Sequence, residues 1–210
     1  MKGVEIKMNK EFEDFLKYGI TETISKKQLI EGKFLLLFFS LLTVVISQFS
    51  IIICTISALN FILGCVLTYS KQEVTGKKIF WIQGVESVNF TLAFALIGTC
   101  ATMYVIEEKY HIIFMIFLLI AYLMVIALYV GMIVRLIKKG AYGKTHKVKG
   151  SAFFMIFAAG GMAVARIFKD KMSNTDALQL IGICSYFISF VFLIGIFGFV
   201  KYYYLKKLEL

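Results

Sequence analysis

From Phe34 to Tyr69 the chain runs 36 residues without one charged side chain. Drawn as a single helix, that stretch would be about 54 Å long at 1.5 Å per residue. The hydrocarbon core of a bilayer is about 30 Å thick, and one crossing takes about 20 residues. The whole chain is 60% hydrophobic and 17% charged, with 21 Phe and a mean hydropathy of +0.83. Soluble domains run at about 25% charged, so a water-soluble enzyme is excluded. The stretch belongs in a membrane and must turn back inside itself. Its most polar four residues, Ser47-Gln48-Phe49-Ser50, mark where.

Four further apolar runs follow, at Ile79–Ile106, Ile112–Val134, Ser151–Phe168 and Ala177–Val200. Each has the length of one crossing. Together with the hairpin they predict an all-α, polytopic membrane protein with six transmembrane helices.

Charge provides an independent test, because Lys and Arg collect in cytoplasmic loops. Six crossings with the N-terminus inside put nineteen Lys and Arg on the cytoplasmic side and four outside. If the first stretch crossed once, the split would be eleven against twelve. Six crossings with both termini cytoplasmic therefore account for the net charge of +10, and nucleic acid is not needed as a partner. Trp81, Tyr69, Tyr104, Tyr110, Tyr129, Tyr186 and Tyr202–Tyr204 mostly fall near predicted helix ends, where amphipathic rings favour the headgroup layer. No secretory signal pattern is expected, since the first 33 residues are charged throughout. Three segments result: a cytoplasmic or interfacial 1–33, a transmembrane domain 34–200, and a cytoplasmic tail 201–210. Twenty-one Lys against two Arg, with abundant Ile, Phe and Tyr, suit an AT-rich prokaryotic genome and its plasma membrane.

Within 4–20, Met8, Phe12, Phe15, Leu16 and Ile20 recur at helical spacing among Lys10, Glu11, Glu13, Asp14 and Lys17. That pattern predicts an amphipathic helix stopped near Gly19. It either lies under the inner leaflet or packs on this protein's own cytoplasmic loops; docking a partner is a third use. Ser25 and Gln28 have capping-box spacing, so the first membrane helix is expected to begin near Lys26.

Glu86 is the one ionisable side chain read well inside a span, about 12 Å along the helix from Lys78. Gln83, Ser87 and Asn89 are expected beside it as a polar stripe. Intramembrane carboxylates are costly and mark ion, proton or substrate pathways. The competing reading is a structural hydrogen bond to Asn60 or Ser57, or a side chain snorkelling to the inner face. Asn60, Gly64 and Thr68 at four-residue steps, and Ala158, Ala159, Gly160, Gly161, Ala163 and Ala165 with their Gly161/Ala165 small-xxx-small pair, read first as helix-packing surfaces.

The loop 135–149 carries Lys138, Lys139, Lys144, Lys147 and Lys149. Its Gly140-x-x-Gly143-Lys144-Thr145 lacks the glycine spacing and the preceding strand of a phosphate loop. Attraction to anionic headgroups on the cytoplasmic face is sufficient to explain it. His146 has no catalytic company there. The four cysteines lie in predicted helices without a Cys-x-x-Cys pair, which argues against thiol-redox chemistry. No cofactor or metal set is legible.

Two functional readings follow. The first is a non-catalytic accessory or interaction protein, such as an immunity-type protein or a complex subunit, working against another membrane protein or a second copy of itself. The second is a small transporter or permease subunit with Glu86 on its pathway. The absence of Pro weighs against the second, because midplane sites are often built on Gly/Pro-broken helices.

Overall fold

The first membrane helix starts where its cap dictates. In the computed structural model, which describes residues 10–48, 50–142 and 173–208, Gln28 N–H donates to Ser25 Oγ. Ser25 N–H donates in return to Gln28 Oε1 at 2.8 Å. Two of the orphan donors of the first turn are thereby satisfied, and α2 runs over Lys26–Ile46. It passes straight through the boundary drawn between 33 and 34. The turn falls where the polar residues predict: Gln48 takes φ +50, and α3 begins at Ile51 and runs to Leu67.

Before α2, strand β1 (Thr23–Ile24) pairs antiparallel with β2 (Val74–Thr75), which follows α3. This two-residue ladder, invisible to any periodicity argument, fixes the start of α2 and the end of α3 at one end of the molecule. Gly76 at φ +62 turns the chain into α4 (Lys78–Met103). A 3-10 turn (Glu108–Tyr110) leads into α5 (His111–Lys138), and the His111 ring closes that corner on the Ile106 carbonyl. After the undescribed segment come α6 (Asn174–Leu193), a 3-10 turn at Ile194–Ile196, and α7 (Phe197–Lys207). Helix α6 opens on a second capping box, Ser173 with Asp176. Helicity thus continues past Val200, where the sequence reading had placed the tail.

Among the described residues, four helical stretches are long and apolar enough to cross a membrane: Lys26–Ile46, Lys78–Met103, Glu108–Lys138 and Asn174–Lys207. The 17-residue α3 is apolar but shorter. Helix α4 is the most buried of the four long stretches and α5 the least.

Cross-helix pairs give the helix directions. Gly182 meets Thr102, Ser189 Oγ donates to the Thr91 carbonyl, and Gly198 meets the Phe80 carbonyl. Position rises along α6–α7 as it falls along α4, so they are antiparallel. Against α5, Tyr186 stacks by Phe114, Tyr122 bonds to Ser189 at 2.6 Å, and Tyr129 donates to the Phe190 carbonyl. Position rises along both, so α5 and α6 are parallel. The α4/α6–α7 seam is tight because it is lined with glycine. A β-carbon on Gly198 would collide with the Phe80 carbonyl oxygen, and one on Gly84 would stand 2.9 Å from the Phe199 ring.

A short helix, α1, spans Lys10–Lys17 and is followed by Gly19 at φ +87. Phe15 and Leu16 are buried against Phe80, Ile133 and Leu205, with Phe12 and Ile20 alongside. The helix therefore packs on its own chain, where the ends of α4, α5 and α7 converge. Lys201 fastens this cluster: its ammonium lies 4.7 to 5.9 Å from the ring centroids of Phe80, Phe15, Tyr18 and Tyr142. It also donates to the Tyr18 carbonyl at 3.0 Å. Burial raises the Tyr142 phenol above its ordinary range, and the adjoining Tyr18 adds to this; the ring stays neutral beside the cation. Met8 and the expected span Ser151–Phe168, with Ala158 through Ala165, lie outside the described residues.

Candidate intramembrane polar site

Glu86 is about two turns into α4 and faces α2. Its Oε1 stands 3.0 Å from where a β-carbon on Gly32 would be, so glycine at 32 is what lets the carboxylate fit between the helices. The cavity beside it, about 10 Å³, is lined by Gly32, Lys33, Leu36, Gly64, Thr68, Glu86, Asn89 and Phe90. A single water needs about that much room. No solute larger than water fits.

Among the described residues lining this cavity, Lys33 and Glu86 are the two with ionisable side chains. The expectation of a carboxylate without a charged partner at membrane depth is therefore corrected. Lys33 had been assigned to the cytoplasmic segment because the apolar stretch begins at Phe34. The capping box holds the missing signal, for a helix that starts at Lys26 carries Lys33 two turns inward, to the depth of Glu86.

Asn89 is 6% exposed, and its Nδ2 has no hydrogen-bond partner among the described residues. It lies 2.7 Å from the β-carbon position of Gly64. Asn60, expected as a partner of Glu86, instead donates from Nδ2 to the Asn89 backbone carbonyl at 3.0 Å. Ser57, the other expected partner, donates to the Ser40 carbonyl. The polar stripe divides, because Ser87 is a full 100° from Glu86 around the helix. Its hydroxyl is directed to the Phe192 carbonyl of α6, while Gln83 is exposed. Glu86 and Asn89 thus share a site, with Asn60 behind Asn89 and Gln83 outside.

Side chains across the interior follow one pattern. Ser57, Asn60, Ser87, Thr91, Tyr129 and Ser189 all bond a backbone carbonyl on a neighbouring helix. Of the headgroup candidates, Lys138 and Lys139 are exposed at the end of α5; Lys144, Lys147 and Lys149, with His146, lie outside the described residues. The four cysteines are free thiols on α3, α4 and α6.

No family model, no curated protein and no solved structure matches this chain.

Proposed function

We propose that this is a cell-membrane protein of prokaryotic type that crosses six times, keeps both termini cytoplasmic, and acts as a non-catalytic accessory or interaction protein. Six crossings are supported by the parallel run of α5 and α6. The chain leaves α5 at the basic end and enters α6 at the other, which is the arrangement that a further crossing between them would give. The β1–β2 ladder supports the α2–α3 hairpin in the same way, since it holds both outer ends together. In this arrangement Lys138 and Lys139, with Lys144, Lys147 and Lys149, meet anionic headgroups of the inner leaflet.

One observation carries the functional reading: Ser57, Asn60, Ser87, Thr91 and Ser189 each bond a backbone carbonyl of a neighbouring helix. Polar groups used this way hold a bundle together and do not line a route for a solute. The second reading, a permease subunit, draws on Glu86, Lys33 and Asn89 around their shared cavity. A volume of about 10 Å³ weighs against it.

Purification from native membranes in mild detergent distinguishes the two readings. The accessory role predicts a stable complex with a second membrane protein or a second copy of this chain. Solute uptake by the reconstituted protein alone, abolished by Glu86→Gln at normal yield, would overturn it.

A further inference from the structure

On the outside of the bundle, α3 and α4 diverge enough to leave a groove of about 290 Å³ within the apolar zone. Its walls are Ile56, Leu59, Leu63 and Leu67 from α3 against Val85, Val88 and Leu92 from α4, with Asn60 and Asn89 also lining it. The α4 wall continues as one helical stripe toward the basic end, through Trp81 and then Lys78, at steps of three and four residues. The Trp81 indole N–H donates at 3.1 Å to the carbonyl of Leu67, a residue of the groove wall. Beyond it the loop 70–78 carries Lys71, Lys77 and Lys78 against a single acid, Glu73. Lys71 and Lys78 are exposed.

We infer that this groove and the lysines at its mouth form a binding site for one anionic glycerophospholipid of the cytoplasmic leaflet. The acyl chain lies between α3 and α4, and the phosphate sits over Lys71 and Lys78. The charge at the mouth selects the occupant. A zwitterionic lipid fills the groove equally well but gains nothing from the lysines, whereas each basic residue near the surface attracts an anionic headgroup by about 1 kcal/mol. An indole at the junction of apolar chain and headgroup is placed where amphipathic rings are stable. The inference rests on the reading that loop 70–78 lies at the inner headgroup layer.

Trp81 is the only tryptophan in the chain, so its fluorescence reports on the groove without labelling. The protein would be reconstituted in vesicles containing brominated phosphatidylglycerol or brominated phosphatidylcholine, whose chains quench an indole on contact. Phosphatidylglycerol is expected to quench at about fivefold lower mole fraction for each lysine engaged. The doubly substituted Lys71→Gln/Lys78→Gln protein should lose that preference while still being quenched by both lipids. Val88→Phe with Leu63→Phe, which fills the groove, should reduce phosphatidylglycerol quenching at unchanged thermal stability. Equal quenching by both lipids in the unmodified protein would overturn the site, as would a preference that survives in the filled groove. Failure of either lipid to quench Trp81 would instead overturn the membrane placement on which the inference rests.

Discussion

Lys33 and Glu86 face one cavity from two helices, so each controls what the other costs to bury. Among the described residues no ion pair joins them, so their coupling acts across the cavity. Lys33→Met and Glu86→Leu should each destabilise the protein by about 0.5–3 kcal/mol, the span of most single substitutions. Glu86→Gln should cost less, because the amide keeps the shape and accepts a hydrogen bond. The double variant Lys33→Met/Glu86→Gln should recover part of the Lys33→Met loss. A thermal-unfolding cycle in detergent measures the coupling, and strict additivity of the two changes would remove the pair from this account. Glycine gives a second series with a built-in control. Gly198→Ala drives a methyl into the Phe80 carbonyl, where only backbone movement relieves it, at about 1–3 kcal/mol. Among the described residues, none lies within 4 Å of the β-carbon position of Gly131 on α5. Gly131→Ala should leave stability unchanged or raise it by up to about 1 kcal/mol, the helix-propensity difference.

Among the elements, what the sequence revealed depended on whether the signal was local. The Ser25–Gln28 box, the break at Ser47–Ser50 and the stop at Gly19 were legible, because each is decided by a few adjacent residues. Glu86 stood out as a charge in an apolar run, and Asn89 as its neighbour one turn on. Lys33 did not, because hydropathy ends a span at the first charge whereas hydrogen bonding continues the helix through it. The glycine seam between α4 and α7 was also missed. Gly84 and Gly198 are ordinary residues in their own helices and acquire meaning only when the two are superposed. The docked α1 belongs to this scale too. Its apolar stripe was readable, but its landing surface is assembled from three distant helix ends. Phe15→Ser with Leu16→Ser should expose the segment around Asp14 to protease while leaving membrane insertion intact. Lys201→Met should do the same more weakly, since it removes the cation from between four rings, and Lys201→Arg should restore protection. Unchanged protection in the Phe15/Leu16 variant would mean that α1 is held by something other than this cluster.

For the whole molecule, the decisive feature is that two consecutive described helices, α5 and α6, run the same way. Antiparallel neighbours can be joined by a short loop at one end; parallel neighbours cannot. Residue 139 and residue 173 must lie at opposite ends of the bundle, separated by the length of α5, which is about 42 Å for its 28 residues. The proposed topology expects Lys139 and Asn174 on opposite sides of the bilayer, Lys139 with Thr75 and Asn174 with Gln48 and Tyr110. All five side chains are exposed, so each accepts a single cysteine once Cys54, Cys65, Cys100 and Cys184 are replaced. A membrane-impermeant maleimide applied to intact cells should label Gln48→Cys, Tyr110→Cys and Asn174→Cys. It should reach Thr75→Cys and Lys139→Cys only after the cells are opened. Labelling of Thr75→Cys from outside would unmake the α2–α3 hairpin and return the chain to five crossings. Labelling of Lys139→Cys and Asn174→Cys from the same side would mean that the segment between them does not cross. The charge distribution alone weighs nineteen basic residues against four. The helix directions group the same ends together from hydrogen bonds and ring contacts that contain no charge, while the charge distribution alone says which group faces the cytoplasm, so one labelling experiment tests two independent arguments.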